Sequence, residues 1–436
     1  MTAMVSALSL GWLLLAGACA RRLVRLVRCR GAGGGRTAPA WTGDAAVAGA
    51  PGVVGTLARR GDTGQHSFSL IVPARDEATV LGSTLDTLAT LDYPTFEVLV
   101  VIGADDTATI EAARSAADRW PGRIRVLVDQ TCPRKKALSL NHALDRCRHD
   151  IVGVFDADSV VNPALLRAVN DRFCRTGADA VQAGNQPFTS HPRWHQLRDM
   201  IEFYLMFLDD VSGGADPERL IRLSGNSVFI RTDLLTEVSG WDPTCLTEDC
   251  ELGLKLAARG CRLSVLYRPD LATLEETPAG IAAFVRQRTR WNQGFIQLFF
   301  RGDWRALPTS RMRREASLVL LPSVFRVLLT IALSLQIVLA GLFATPQILA
   351  AVVPAALGAV NAVLTSCLLR PFARAFNLDV RARHHAALIT GSLPFQLLLF
   401  VAAARAIVRQ FAGRMGWEKT THTGVEAPSP RAPGHT

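Results

Sequence analysis

Three short groups of residues in this chain have types and spacings suited to chemistry. The first is Asp156-Ala157-Asp158, at the end of the apolar run Ile151-Val-Gly-Val-Phe155. Such a run, with β-branched residues and polar flanks, reads as a buried strand of a parallel sheet, and ligands of open α/β sheets bind beyond the carboxyl ends of strands. Asp156 and Asp158 are two apart, so at a strand end they point to one side. Two carboxylates there suit Mg²⁺ or Mn²⁺, which takes phosphate oxygens as further ligands. The same tripeptide also reads as a solvated turn. The second group is Thr247-Glu248-Asp249, followed by Leu252, Lys255, Leu256 and Arg259 at helical spacing. It reads as a helix start, with Thr247 as N-cap and the acids favoured by the helix dipole. That position also aims a carboxylate rigidly, as a general base requires. The third group is Gln287, Arg290 and Trp291, which share one helical face. Arg pairs with phosphate through two parallel hydrogen bonds and Trp stacks on sugar faces. The competing reading is a helix lying at a membrane surface.

The elements that must hold these groups follow from the pattern of the chain. It has 436 residues, 49 % of them apolar, and a net charge of +10. The basic excess lies beside apolar blocks, as in membrane proteins, and no nucleic-acid motif accompanies it. The 9 cysteines form no C-x-x-C pair and no regular spacing, which supports neither a zinc site nor a disulfide framework. Met4–Ala20 is apolar and is followed at once by Arg21, Arg22, Arg25, Arg28 and Arg30, the order of a membrane anchor with its basic flank inside. Residues 21–66 read as a basic flank and flexible Gly/Ala/Thr linker. From Ser67 strands and helices alternate. Strands are expected at Phe68–Val72, ended by Pro73, and at Glu97–Ile102, Ile124–Val128 and Ile151–Asp158. Helices are expected at the leucine repeat from Leu81 and at Ala137–Cys147, with another starting at Pro163. Further strands are expected at Ala180–Ala183, Ser227–Arg231 and Arg262–Leu266. This order predicts an α/β domain over residues 67–300, a mostly parallel Rossmann-like sheet with helices on both faces. A connector over 301–316 leads to apolar blocks at Ser317–Thr345, Gln347–Leu369 and Ala386–Val408, each near the length that spans a bilayer. They predict transmembrane or re-entrant helices over 317–411, with Arg326 inside the first block as a functional or snorkelling charge. Basic residues flank the last block on both sides, so it is expected to bend at Pro394 and re-enter, leaving the tail, 412–436, on the cytoplasmic side.

The order Asp-x-Asp, Thr-Glu-Asp, Gln-x-x-Arg-Trp, with apolar blocks behind it, resembles the membrane-embedded family-2 glycosyltransferases, among them the cellulose, chitin, hyaluronan and poly-N-acetylglucosamine synthases. The resemblance covers Ser67 to Phe300, and Trp417-Glu-Lys-Thr-Thr-His422 is similar to a tail found in some members. It implies a GT-A-type fold and the following roles. Pro73, Ala74, Arg75, Asp76 and Glu77 match the loop that cradles the nucleotide, and Lys136 matches a basic residue near the diphosphate. Asp156 and Asp158 match the metal and diphosphate pair, and Asp249 matches the catalytic base. Glu248, Gln287, Arg290 and Trp291 match the acceptor and diphosphate platform, and Gly225-Asn226-Ser227 the acceptor-side strand entry. The family's acid after the second strand stands late here, with Asp105 the residue placed to reach the base. The resemblance implies a nucleotide-sugar donor, UDP-linked by family default with GDP and dTDP open, and a polysaccharide or lipid acceptor. The expected product is a β-linked polysaccharide made at the plasma membrane by a multi-pass protein with its catalytic domain in the cytoplasm, with an accessory subunit possible and no nucleic-acid partner. The alternatives are a single-transfer glycolipid synthase, or a scaffold or export component with a degenerate catalytic domain.

Overall fold

A computed structural model describes residues 47–48, 64–132, 135–212, 219–343 and 348–414. Strand β1 (Val47–Ala48) is a two-residue edge. The sheet proper starts with β2 (Phe68–Ala74), helix α1 (Leu81–Ala89), β3 (Phe96–Gly103), α2 (Thr107–Arg119), β4 (Ile124–Asp129), α3 (Lys136–Leu144) and β5 (Ile151–Val154). Then follow α4 (Leu165–Thr176), β6 (Ala180–Ala183), β7 (Asn185–Phe188), α5 (Trp194–Ser212), β8 (Val228–Arg231), α6 (Thr232–Glu237), α7 (Glu248–Ala258), β9 (Leu263–Leu266) and β10 (Thr273–Glu276). The sheet order is β1-β9-β6-β8-β5-β2-β3-β4. The strands β5-β2-β3-β4 are parallel, as the alternation predicts, and β6 with β9 is parallel too. Between these two sets β8 runs antiparallel to both β5 and β6, and β1 is antiparallel to β9, so the sheet is mixed.

All eight residues of β3 are buried, as expected of a strand covered on both faces. Its one acid, Glu97, is tolerated because Ser69 Oγ, Arg125 Nη1 and the Arg148 backbone N–H all donate to it, at 2.9, 2.6 and 3.0 Å. Proline does not end β2: the strand runs through Pro73, paired with Val101, to Ala74. The β5 ladder has stopped at Ile71, so the N–H that Pro73 lacks is not missed on that side. The helix expected at Pro163 begins at Leu165.

Beyond β10 come α8 (Ile281–Arg301), α9 (Ser310–Leu320), α10 (Pro322–Phe343), α11 (Ile348–Phe376), α12 (Ala382–Thr390) and α13 (Ser392–Phe411). Helices α9 and α10 meet at 58° where Pro322 opens the second. The last apolar block is interrupted at Gly391, not at Pro394. A Cβ on Gly391 would lie 2.9 Å from the Trp194 ring, so the break is where the chain passes the start of α5. Pro394 then lies in the first turn of α13, where its lacking N–H has no helical partner to lose. Among the described residues, Ser392–Phe411 is the one helix long and apolar enough to cross a membrane by itself, and Ser310–Leu320 with Pro322–Ala332 passes as a bent pair. One candidate span near the C-terminal end thus stands where helices at both ends are expected. The anchor expected at Met4–Ala20 and the motif from Trp417 lie outside the described residues. The end of α13 returns to α8: Gln293 Nε2 donates to Arg414 O at 2.9 Å and Arg409 Nε to Gln293 Oε1 at 3.1 Å.

Candidate active site

Beyond the carboxyl ends of β2 and β5, a cavity of about 1830 Å³ opens between the sheet, α8 and the apolar helices. Pro73, Ala74, Arg75, Glu77, Lys136, Asp156, Asp158, Glu248, Asp249, Gln287, Arg290 and Trp291 all line it. All three groups picked out in the sequence therefore face one space.

The acids of the first group are not on the strand. β5 ends at Val154, and Asp156 and Asp158 sit in a turn closed by Ser159 N donating to Asp156 O at 3.1 Å. It is the turn, and not strand alternation, that gives them a common wall. Lys136, the first residue of α3, forms an ion pair with Asp156 and donates to Gly225 O at 2.7 Å. A Cβ on Gly225 would lie 3.1 Å from Lys136 Nζ and 3.4 Å from Asp249 Oδ2, so the bare backbone lets these groups converge. Burial works against the Lys136 charge, but Asp156, Glu248 and Asp249 outweigh it and hold its pKa above the ordinary value. Asp158 Oδ2 accepts from Glu276 N at 3.1 Å.

Among the described residues no three His, Cys, Asp or Glu side chains form a metal-binding group. The chain therefore offers Asp156 and Asp158 as a two-carboxylate set, which fits a hard cation that completes its shell with phosphate oxygens. Charge around them agrees: the buried Glu275 carboxyl is pushed up to about 7 by desolvation and by the negative Asp158 and Asp156.

Glu248 and Asp249 open α7. Thr247 stands at the N-cap position but makes no side-chain cap, and Asp249 Oδ1 accepts from Cys250 N at 2.8 Å. Burial raises the pKa of both carboxyls, and they oppose each other's ionisation; Lys136 and Arg290 pull the other way. A carboxylate so placed is a stronger proton acceptor than one in water. Helix α8 reaches this point because residue 294 is glycine. A Cβ there would lie 2.5 Å from the Thr247 side chain. Gln287 Oε1 and Arg290 Nε are buried without a partner among the described residues.

Two expected residues stand apart. Asp105 is not among the lining residues; Arg75 donates to it twice, at 3.0 and 2.7 Å, and these bonds hold its pKa down at about 2. Asp76 also lies off the wall, at φ 51°, with its N–H donating to Asp106 Oδ2 at 2.5 Å. Sequence reasoning missed Glu275 and Asn185, both on the wall. Asn226 Nδ2 and Asn185 Nδ2 donate to Glu275 Oε2 at 3.0 and 3.3 Å. They come from the two-stranded β7–β10 sheet, and the acidic end of Thr273-Leu-Glu-Glu276 was the available signal.

Comparison with known proteins agrees with this geometry. A beta-monoglucosyldiacylglycerol synthase from Synechocystis is 30 % identical over 260 residues, 56 % of this chain and 50 % of that protein. A poly-beta-1,6-N-acetyl-D-glucosamine synthase from Staphylococcus epidermidis is 22 % identical over 248 residues, 57 % of this chain and 59 % of that one. The chain spans about half the length of the curated relatives it matches first. A mannosyltransferase from Pyrobaculum calidifontis, solved with GDP-Man and Mn²⁺, shares the fold at a TM-score of 0.55 and 19 % identity, over 94 % of this chain and 99 % of that one. The family model described as glycosyltransferase like family 2 matches residues 65–294, over half of the chain, and the chain belongs to that family.

Proposed function

We propose that the protein is an inverting glycosyltransferase that moves a sugar from a nucleoside-diphosphate sugar to a hydroxyl of a membrane lipid. One observation carries the transfer: the loop after β2, the Asp156/Asp158 turn, Asp249 and the Gln287/Arg290/Trp291 face all line a single cavity. At about 1830 Å³ it exceeds the ~300–1,000 Å³ of an ordinary ligand pocket and has room for donor and acceptor together.

The donor's nucleotide lies against Pro73, Ala74 and Glu77, with its diphosphate toward Asp156, Asp158 and Lys136. Asp156 and Asp158 would hold Mg²⁺ or Mn²⁺, which would supply countercharge to the diphosphate. Lys136 and Arg290 add fixed positive charge where the leaving group develops its own. The acceptor oxygen forms a bond to the anomeric carbon as the bond from that carbon to the diphosphate oxygen breaks. The leaving nucleoside diphosphate takes the electron pair, and Asp249 takes the hydroxyl proton. A single displacement inverts the anomeric centre, so an α-linked donor gives a β-linked product. Asp249 as base contributes about 10²–10⁴ in rate.

The lining of the far half supports a lipid over the expected polysaccharide. Between α10, α11 and α13 the wall is built of Leu329, Val360, Val363, Leu393, Leu397 and similar side chains, and among the described residues no Trp or Tyr stands there to stack on a sugar chain. Exposed apolar residues of α10 and α13 that lie off the cavity wall, Leu328, Ile331, Val401 and Val408 among them, seat these helices in a bilayer. The Synechocystis relative, a glycolipid synthase by name, supports the same choice. Purified protein with Mn²⁺, a diacyl lipid and each nucleotide sugar in turn tests this. Mass spectrometry is expected to find the lipid plus one sugar residue, β-linked; a glycan ladder, or nucleotide release with no glycosylated lipid, would sink it.

A further inference from the structure

The cavity does not end at the catalytic groups. It continues to a second set of charged side chains that the transfer does not use: Arg198 and Glu202 of α5, Arg288 of α8 and Arg326 of α10, with Gln396 of α13 beside them. Arg198 is 2 % exposed. Its Nη1 donates to Leu388 O at 3.4 Å, and its Nε has no partner among the described residues. Arg288 is ion-paired with Asp199, and its guanidinium lies 4.6 Å from the centre of the Trp291 ring; its Nε is also unpartnered among those residues. Arg326 Nη1 donates to Gln396 Oε1 at 2.8 Å, a neutral partner, and the carboxylate whose charge acts on it is Glu202, which it shares with Arg198 and Arg288.

Charge does not close over this cluster. Among the described residues, three guanidinium groups face two carboxylates, Asp199 and Glu202. Burial raises the Glu202 pKa against the pull of Arg288, which weakens the second negative charge further. The surplus is one positive charge with Glu202 ionised and two with it protonated. A buried charge left without a partner is costly, so the site calls for an anion. Guanidinium groups, more than ammonium groups, match phosphate oxygens in pairs. Next to the cluster the wall turns apolar, at Leu329, Val360, Val363, Leu393, Leu397 and Phe400. A free anion has no use for that surface, whereas acyl chains do. Basic pockets between membrane helices on the cytoplasmic side are a known form of anionic-lipid site.

We propose that Arg198, Arg288 and Arg326 hold the phosphate of an anionic phospholipid whose acyl chains lie between α10, α11 and α13. The proposal rests on the lipid-acceptor reading above and names the chemical class of that lipid. Native mass spectrometry of the full chain in a maltoside detergent, which carries no phosphate, tests it with three probes: phosphatidylglycerol, dioleoylglycerol and inorganic phosphate. The wild-type chain is expected to retain phosphatidylglycerol about tenfold more than dioleoylglycerol, the worth of one charge-assisted contact. Arg326→Gln is expected to lose about tenfold in that retention, and Arg326→Lys less. Equal retention of the two lipids by the wild type, a comparison that needs no variant, would overturn the proposal. So would unchanged retention by Arg326→Gln, or displacement of the lipid by millimolar inorganic phosphate. Sugar transfer is read separately: a chain that selects phosphatidylglycerol yet glycosylates no lipid defeats the reading of function and leaves this site standing.

Discussion

The two halves of the cavity are built by different means. On the donor side, short loops at the ends of β2 and β5 hold charged groups in place through a dense set of bonds: Lys136 to Asp156 and Gly225 O, Arg75 to Asp105, Glu276 N to Asp158. On the far side, long helices supply apolar walls, and polar atoms such as Gln287 Oε1, Arg198 Nε and Arg288 Nε are left without partners among the described residues. Native interiors rarely leave buried polar atoms unpaired, and those that line a cavity can be paired by what enters it. The donor side is thus pre-formed for a group of fixed shape, while the far side waits for its polar partners to arrive with the acceptor.

If that contrast is right, the largest loss comes from the donor side. Asp158→Ala is expected to abolish transfer and to weaken nucleotide binding in the presence of Mn²⁺, read by calorimetry. Full activity in that variant, or full wild-type activity in excess EDTA, would show that the turn does not hold the metal. On the far side the effect is selective. Trp291→Ala is expected to lower transfer to the acceptor by about tenfold, the upper end of what a stacking contact provides, while donor hydrolysis changes little. Equal loss of both would make Trp291 a packing residue against Phe203, whose ring centre lies 5.9 Å away.

A smaller effect follows from the meeting point of the halves. Burial raises the pKa of both Glu248 and Asp249, and the Asp249 charge raises that of Glu248 further. The base works only when deprotonated, so turnover is expected to rise with pH through the pair's apparent pKa and then level off. The same measurement on Glu248→Gln tells the two carboxyls apart: the Asp249 charge helps to raise the Glu248 pKa, so a limb that belongs to Glu248 is lost in this variant. A limb that does not move would separate Glu248 from the titration.

The parts legible in the sequence are those fixed locally. The parallel half of the sheet follows from apolar runs alternating with helical spacing, and Asp156-x-Asp158, Thr247–Asp249 and the Gln287 face each reveal themselves within a few residues. What was not legible depends on contacts distant in the chain. The antiparallel β8 is a short apolar run, Val228 to Ile230 closed by Arg231, much like its neighbours, and its direction is set by pairing with β5 and β6. Glu275 joins the wall because β10 pairs with β7, a short link between segments that lack an apolar signature. Gly294 reads as a weak point in a helix until Thr247 is seen against it. Gly391 and Pro394 compete for the same break, and a side chain at 391 would meet both Ala387 O nearby and the ring of Trp194, nearly two hundred residues upstream by chain order. Asp105 shows the reverse case: its position suggested a ligand contact, and the nearby Arg75 claims it instead.

In the proposed reaction, donor and acceptor meet at Asp249, which is not part of the donor's own grip. Asp249→Asn keeps the shape and removes the base, so one pair of measurements on that variant tests it most directly. Calorimetry with the nucleoside diphosphate and Mn²⁺ should give an affinity close to the wild type, while turnover at saturating donor and acceptor falls by about a hundredfold or more. A collapse of nucleotide affinity with unchanged turnover at saturation would contradict the account, making Asp249 a donor-binding residue and placing the base elsewhere.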